Sequence, residues 1–160
     1  MSQTRIILGI DPGFGRLGFG YLEVAPGQTK AIDYGIISTS SETAFEQRLH
    51  QIGQDLDTLI NQRRPHIIGI EKLYFAKNTK TAMRVAEARG VILFTCAKHN
   101  IPVVEFTPAQ IKKSLTGDGT ADKKAIQWMV KEILNLKAAP RIDDAADALA
   151  VALTVSSIKW

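Results

Sequence analysis

Cysteine is almost absent. Cys96 is the single thiol in 160 residues, so one chain can build neither a disulfide framework nor a cysteine-based zinc site. That usage fits a reducing, cytosolic compartment. Long apolar runs are missing as well, and nothing approaches the roughly twenty consecutive apolar residues that a membrane span requires. Met1 leads straight into a short strand-like run, with no basic region or small-residue cleavage site, so the expectation is a cytoplasmic protein without a leader. No internal repeat, low-complexity tract or linker interrupts the chain. With 45% hydrophobic and 22% charged residues, residues 1–160 read as one globular domain.

No large excess of either charge is present: 20 Lys and Arg against 16 Asp and Glu leave a net +4, a mild bias toward polyanionic partners. The distribution is more informative. Residues 72–89 carry Lys72, Lys77, Lys80, Arg84 and Arg89 against the lone acid Glu87, and Lys112, Lys113, Lys123, Lys124 and Lys131 form a second group. Charge alone favours two solvated helix faces. The acids described below favour a polyanion instead.

Hydrophobic periodicity gives the element order. Residues 4–10 are a β-branched run stopped by Asp11-Pro12-Gly13, and residues 17–24 and 30–38 flank a Pro26-Gly27 turn, together predicting an antiparallel three-stranded meander. Phe45, Leu49, Ile52, Leu56, Leu59 and Ile60 recur at helical spacing within 41–63, with Ser41 as the expected N-cap. Pro65 ends that helix, and residues 66–71 form a strand ending at Glu71. Residues 78–99 read as a helix with Gly90 inside it, 102–106 as a fifth strand, and Pro108 starts a helix running to about Leu115. A flexible loop is expected at Gly117-Asp118-Gly119, and helices are expected at 121–135 and 143–158. Strands first and alternating units later predict an α/β domain whose five-stranded mixed sheet is flanked by helices.

Four acids sit among apolar or small neighbours: Asp11 in GIDPG, Glu71 in IGIEKLYF, and Asp144 and Asp147 in DAADALA. Asp144 and Asp147 are three apart and share a helix face, where like charges repel unless a cation lies between them. Singly, each has an ordinary reading: Asp11 as a turn cap, Glu71 as a strand-end charge, Asp143 or Asp144 as a helix N-cap. Jointly, two strand-end acids and an i, i+3 pair make a hard oxygen donor set suited to Mg²⁺ or Mn²⁺. Two such ions about 3.5 to 4 Å apart promote in-line phosphodiester displacement. That arrangement is the ribonuclease-H-type metal site, and it predicts a ribonuclease-H-like fold.

Taken in order, ILGIDPG, IEKLYFAKN, EARG and DAADALA resemble the motifs of the RuvC family of bacterial Holliday junction resolvases over nearly the whole chain. The resemblance implies that Asp11, Glu71, Asp144 and Asp147 are the catalytic and metal-binding acids. It places the family's catalytic lysines on Lys112 and Lys123, with Lys123 the first candidate to stabilise charge at the scissile phosphate. It also implies two Mg²⁺ ions, with Mn²⁺ as an alternative, a homodimer, a four-way DNA junction as substrate, and a RuvA–RuvB branch-migration complex as partner. Tyr74 corresponds to an aromatic that wedges against opened bases; Phe75 reads equally well as a DNA contact or as a core or interface residue. Lys77, Asn78, Lys80, Arg84, Lys112, Lys113 and Lys124 are expected to hold the DNA. Asp143 is an extra acid before the motif, assigned here as the cap, with Asp144 the ligand.

Gly13 to Gly18 also match GxGxxG after a strand, with Asp33 about where a dinucleotide fold places its ribose acid. That motif needs a helix to open at the glycines, whereas residues 17–24 are strand-like, so dinucleotide binding is set aside. The glycines fit a tight turn that leaves room for a nucleic-acid backbone, and a plain hairpin predicts the same geometry. His50, His66 and His99 share no ligand spacing and are given no catalytic role. Three rival readings are an RNA-processing nuclease of the YqgF type, an ATP-binding fragment of the actin and sugar-kinase type, and a junction-binding module without turnover. The later motifs oppose the first, chain length opposes the second, and the four acids oppose the third.

Overall fold

A computed structural model describes residues 4–73 and 79–158. The meander forms as expected: β1 (Arg5–Asp11) pairs antiparallel with β2 (Arg16–Ala25), and β2 pairs antiparallel with β3 (Gln28–Ser38). After α1 (Phe45–Arg63), β4 (Ile67–Glu71) returns parallel to β1, bringing Gly9 level with Gly69. After α2 (Thr79–Lys98), β5 (Val103–Phe106) adds parallel to β4, giving a mixed sheet of order β3-β2-β1-β4-β5. The helices α3 (Pro108–Thr116), α4 (Lys123–Ile133) and α5 (Asp143–Ser157) follow.

Strand alternation divides the sheet into two faces. Leu8, Ile10, Leu17, Tyr21, Ile68 and Ile70 point to one side and pack with Ile52, Leu56 and Ile60 of α1 and Ala88, Ile92 and Cys96 of α2. Ile7, Leu22 and Ile67 point to the other, against α3, α4 and the nearly continuous apolar surface of α5. The two layers of helix therefore have different duties. The first closes a conventional aliphatic core. The second, dominated by α5, carries the polar chemistry. Cys96 is buried in the first layer, where desolvation pushes its thiol up to about 12 and keeps it protonated.

Local rules account for several boundaries. Thr107 accepts from the Gln110 amide while the Gln110 side chain accepts from Thr107 N–H, a capping box with Pro108 in the first turn. Asp122 caps α4 by accepting from Ala125 N–H at 2.8 Å. Three local expectations are corrected. Ser41 does not cap α1, which begins at Phe45 after Ala44 without a side-chain cap. Tertiary packing moves that boundary, because the Phe45 ring sits edge-on to Phe14 at 5.8 Å. Asp143 does not cap α5 either: Ile142 holds the N-cap position, and Asp143 lies in the first turn, accepting from Gln127 Nε2 on α4. The loop after α3 is stitched rather than loose. Thr116 donates to Lys112 O, and Thr120 donates its N–H and hydroxyl to Asp118 Oδ1. Among the described residues, no helix is long and apolar enough to cross a membrane.

Candidate active site

The site begins with an absence of side chains. On the face covered by α5, three strands carry glycine: Gly9 on β1, Gly18 and Gly20 on β2, and Gly69 on β4. A Cβ would overlap Ala148 backbone at Gly9, Asp144 backbone at Gly18, the Leu149 side chain at Gly20 and the Val155 side chain at Gly69. The glycines thus let α5 lie directly on the sheet. Two residues beyond Gly9 and Gly69, on that same face, stand Asp11 and Glu71. The first turns of α5 reach the same end of the sheet with Asp144 and Asp147. Convergence of the four acids is therefore a consequence of strand period, parallel register and close helix packing. The N-terminus of α5 contributes a partial positive charge beside them.

The crowding appears in the acidities of Asp11, Glu71 and Asp147. Asp11 is pushed up to about 8, first by burial and then by Glu71, Asp147 and Asp144, with Lys123 opposing. Glu71 is raised by burial and by Asp147, against Lys112 and Lys123. Asp147 is raised chiefly by burial, which Lys123 counters. In a small buried space, four carboxylates of this kind call for positive charge.

Two cations supply part of it. Lys123, the first residue of α4, places Nζ 3.1 Å from Asp143 Oδ2 and 3.5 Å from Asp147 Oδ2. Arg16, the first residue of β2, places Nε 3.1 Å from Asp144 Oδ2. Asp144 Oδ2 is buried, and the Arg16 contact is misaligned, so this oxygen has a counter-charge but no hydrogen bond. Among the described residues, no three His, Cys, Asp or Glu side chains are drawn together tightly enough to enclose an ion. An orphaned buried carboxylate oxygen, a strongly raised acid beside it and an all-oxygen donor set nonetheless fit a hard divalent cation.

Both candidate lysines line one cleft with two of the acids. A cleft of about 250 Å³ is lined by Glu71, Lys112, Lys123 and Asp147, floored by Ile111, Ile126 and Ala150. A neighbouring depression of about 230 Å³ is lined by Asp11, Glu71 and Lys72 and shares Glu71 and Pro108 with it. Other candidate DNA contacts are exposed: Lys113 on α3, Lys124 on α4, and Lys80 and Arg84 on α2. Arg84 stacks over the Phe45 ring at 5.0 Å, which ties the start of α2 to the loop after Asp11 through Phe14. Tyr74, Phe75, Lys77 and Asn78 lie outside the described residues.

Two residues that the sequence reading passes over belong to this neighbourhood. Arg48, buried on α1, donates Nε to Thr39 Oγ1 and Nη2 to Phe14 O and stacks on the Phe14 ring at 4.9 Å, fixing the loop after Asp11. Arg16 is the other; its two-residue spacing from Gly18 is the signal that places it on the acid-bearing face. The glycine run itself turns at Gly13 and enters β2, so no helix opens there and the dinucleotide alternative falls. The histidines serve elsewhere. His66 Nδ1 accepts from Ile6 N–H, His99 contacts Asp57 at 2.8 Å, and His50 lines a groove between α1 and α2.

A mixed sheet of this order, with acids gathered where β1 and β4 end beneath α5, defines a ribonuclease-H-like domain. The family model described as crossover junction endodeoxyribonuclease RuvC matches residues 7–155, and the chain belongs to that family. A relative of that name from Gloeobacter violaceus is 50% identical over 149 residues, spanning 92% of this chain and 86% of its own. The structure of Thermus thermophilus RuvC superposes with a TM-score of 0.88 at 32% identity, covering 94% of this chain and 93% of that one. The same organism's RuvC in complex with Holliday junction substrate matches with a TM-score of 0.86 at 30% identity, covering 94% and 92%. Membership implies a nuclease that uses divalent metal.

Proposed function

We propose that this chain resolves four-way DNA junctions, acting as a homodimer that nicks two strands of like polarity symmetrically and leaves ligatable ends. The observation that carries the chemistry is the meeting of Asp11, Glu71, Asp144 and Asp147 with Lys112 and Lys123 at one end of the sheet. The choice of junction rests on family membership and on the T. thermophilus RuvC that is similar to this chain and was solved with Holliday junction substrate.

Asp11, Glu71, Asp144 and Asp147 would hold two Mg²⁺, or Mn²⁺, which when bound supply Lewis-acid activation and charge neutralisation for phosphodiester hydrolysis. The protein's own groups do the rest. Burial of the acids keeps the site in a low-dielectric setting where fixed charges act strongly. Lys123, held at the start of α4 by Asp143 and Asp147, presents a cation to the charge that develops on the phosphate. Lys112, across the cleft beside Glu71, balances the acid cluster from α3. Lys80, Arg84, Lys113 and Lys124 hold flanking phosphates, with Tyr74, Phe75, Lys77 and Asn78 assigned to the same surface by motif.

Support for a dimer comes from α2. Met83, 72% exposed, and Phe94, 71% exposed, lie eleven residues apart and so on one helix face, with Gly90 between them opening onto free space. A glycine amid exposed apolar side chains suits close approach of a second helix. The same reading makes a RuvA–RuvB-type branch-migration complex the partner and the cytoplasm the location.

The test is cleavage of labelled four-way junction, linear duplex and structured RNA, with and without Mg²⁺, by wild type and Asp11→Asn. Wild type is expected to cut only the junction, in paired nicks and only with metal, while Asp11→Asn binds without cutting. Near-normal cutting by Asp11→Asn would overturn the site, and preferential cutting of RNA would overturn the substrate.

A further inference from the structure

Arg16 opens β2, two and four residues before Gly18 and Gly20, so strand alternation puts its side chain on the sheet face that α5 covers. Gly18 abuts the Asp144 backbone, which fixes the first turn of α5 over the start of β2. The Arg16 side chain spans the short remaining gap to Asp144 Oδ2, 3.1 Å from Nε. The two cations paired with the α5 acids therefore approach from different directions, Lys123 from α4 and Arg16 from the sheet.

The Arg16–Asp144 pair does not resemble a structural ion pair. The Arg16 side chain is 62% exposed against 24% for Asp144, so the cation sits on the solvent side of the contact. Asp144 Oδ2 is buried and accepts no hydrogen bond, so the contact supplies charge without directional bonding. A buried carboxylate oxygen in that condition is open to a ligand that binds through charge and weakly directional coordination, as a hard divalent ion does. Ion pairs with one exposed partner contribute little to stability, so coordination by a metal readily offsets the loss of this one. Once released, a planar guanidinium at the mouth of the cleft has the right shape to grip phosphate oxygens.

We propose that Arg16 is a placeholder for the divalent cation at Asp144. It neutralises that carboxylate in the metal-free protein, is displaced when the acids take up an ion, and then engages a phosphate of the bound DNA strand. This rests on the metal-dependent reading given above. Arg16 is a positioning residue in this scheme, coupling metal uptake to DNA engagement through one side chain.

The experiment is calorimetric titration of Mg²⁺ and Mn²⁺ into DNA-free wild type, Arg16→Gln and Arg16→Lys. Arg16→Gln is expected to bind the ions about two- to fivefold more tightly, because nothing has to be displaced from Asp144. Arg16→Lys keeps the competing charge and is expected to stay near wild type. With the four acids intact and saturating Ca²⁺ in place of Mg²⁺, Arg16→Gln is further expected to weaken junction binding and lower the slope of log affinity against log salt by about one. Equal metal affinity in wild type and Arg16→Gln would overturn the placeholder role, and an unchanged salt slope would overturn the transfer to phosphate. Failure of the wild type to take up either ion would remove the metal reading itself, and this proposal with it.

Discussion

Gly9 of β1 lies against the backbone of Ala148 in α5 with no room for a Cβ between them. This contact sets the height of α5 above the sheet, and so the separation of Asp144 and Asp147 from Asp11 two residues further along β1. Gly9→Ala would drive a methyl group into backbone carbonyl, which cannot rotate away as a flexible side chain does. The expected cost is about 3 kcal/mol or more in chemical denaturation. Protein that does fold is expected to have weakened metal uptake, since its acids no longer meet. A loss below about 1 kcal/mol would show that α5 can ride higher without penalty.

Metal-free protein is expected to lose stability as pH rises from about 4 to 8. The Asp11 acid is raised from 3.8 to about 8 in the folded chain, so between those values the folded state binds more protons than the unfolded state. Stability contributed by protonated Asp11 is full below about 4 and is lost as pH rises toward and through 8. In EDTA the melting temperature of wild type is expected to fall over that window, with Glu71 and Asp147, also raised, adding to the trend. Asp11→Asn removes the largest contributor. Its melting temperature at pH 8 is expected to exceed that of wild type, with a flatter profile. Saturating Mg²⁺ is expected to narrow the difference by stabilising wild type.

How much of this was readable beforehand follows from the kind of information each feature needs. Asp11 and Glu71 were legible as strand ends because an apolar run stopping at an acid is a local pattern, and Asp144 with Asp147 because i, i+3 spacing is local too. Their meeting is expected from the joint pattern and the family resemblance, but no local pattern supplies its geometry. It depends on Gly9 pairing level with Gly69 across a parallel crossover and on α5 lying on the glycines, both tertiary facts. Ser41 misled for the same reason: its residue type suits a cap, yet the Phe14–Phe45 contact decides where α1 begins. Arg16 is harder to read, since its spacing from Gly18 gains meaning only once α5 covers one face of the hairpin.

Kinetics can separate the proposed catalytic role of Lys123 from its ion pairing with Asp143 and Asp147. Its Nζ neutralises Asp143 and Asp147 in the resting protein and faces the cleft shared with Glu71 and Lys112. If its main contribution is to the transition state, Lys123→Ala lowers single-turnover cleavage on the order of 100-fold while junction affinity changes only slightly. Lys124→Ala is the control. Exposed on the next position of the helix, it is expected to weaken binding modestly and leave the bound rate alone. Equal losses of rate and affinity in Lys123→Ala would reduce that residue to a phosphate anchor.

The proposed symmetric nicking requires two active sites related by a two-fold axis, and in that reading the exposed face of α2 would supply the self-complementary surface. Phe94 and Met83 are both more than two-thirds exposed on a helix whose opposite side, at Ala88, Ile92 and Cys96, is fully buried, so they contribute nothing to the monomer's core. Replacing Phe94 with Glu therefore discriminates between interface and fold. The substitution is expected to cost the dimer at least about 2 kcal/mol, shifting sedimentation toward monomer at micromolar concentration, with the circular dichroism spectrum unchanged. Gly90→Leu tests the same contact by bulk instead of charge, filling the open space between Met83 and Phe94. Both variants are expected to retain metal uptake at Asp11, Glu71, Asp144 and Asp147 while losing paired nicking in favour of single nicks. A variant that stayed dimeric by sedimentation and cut in pairs would place the subunit interface on another surface.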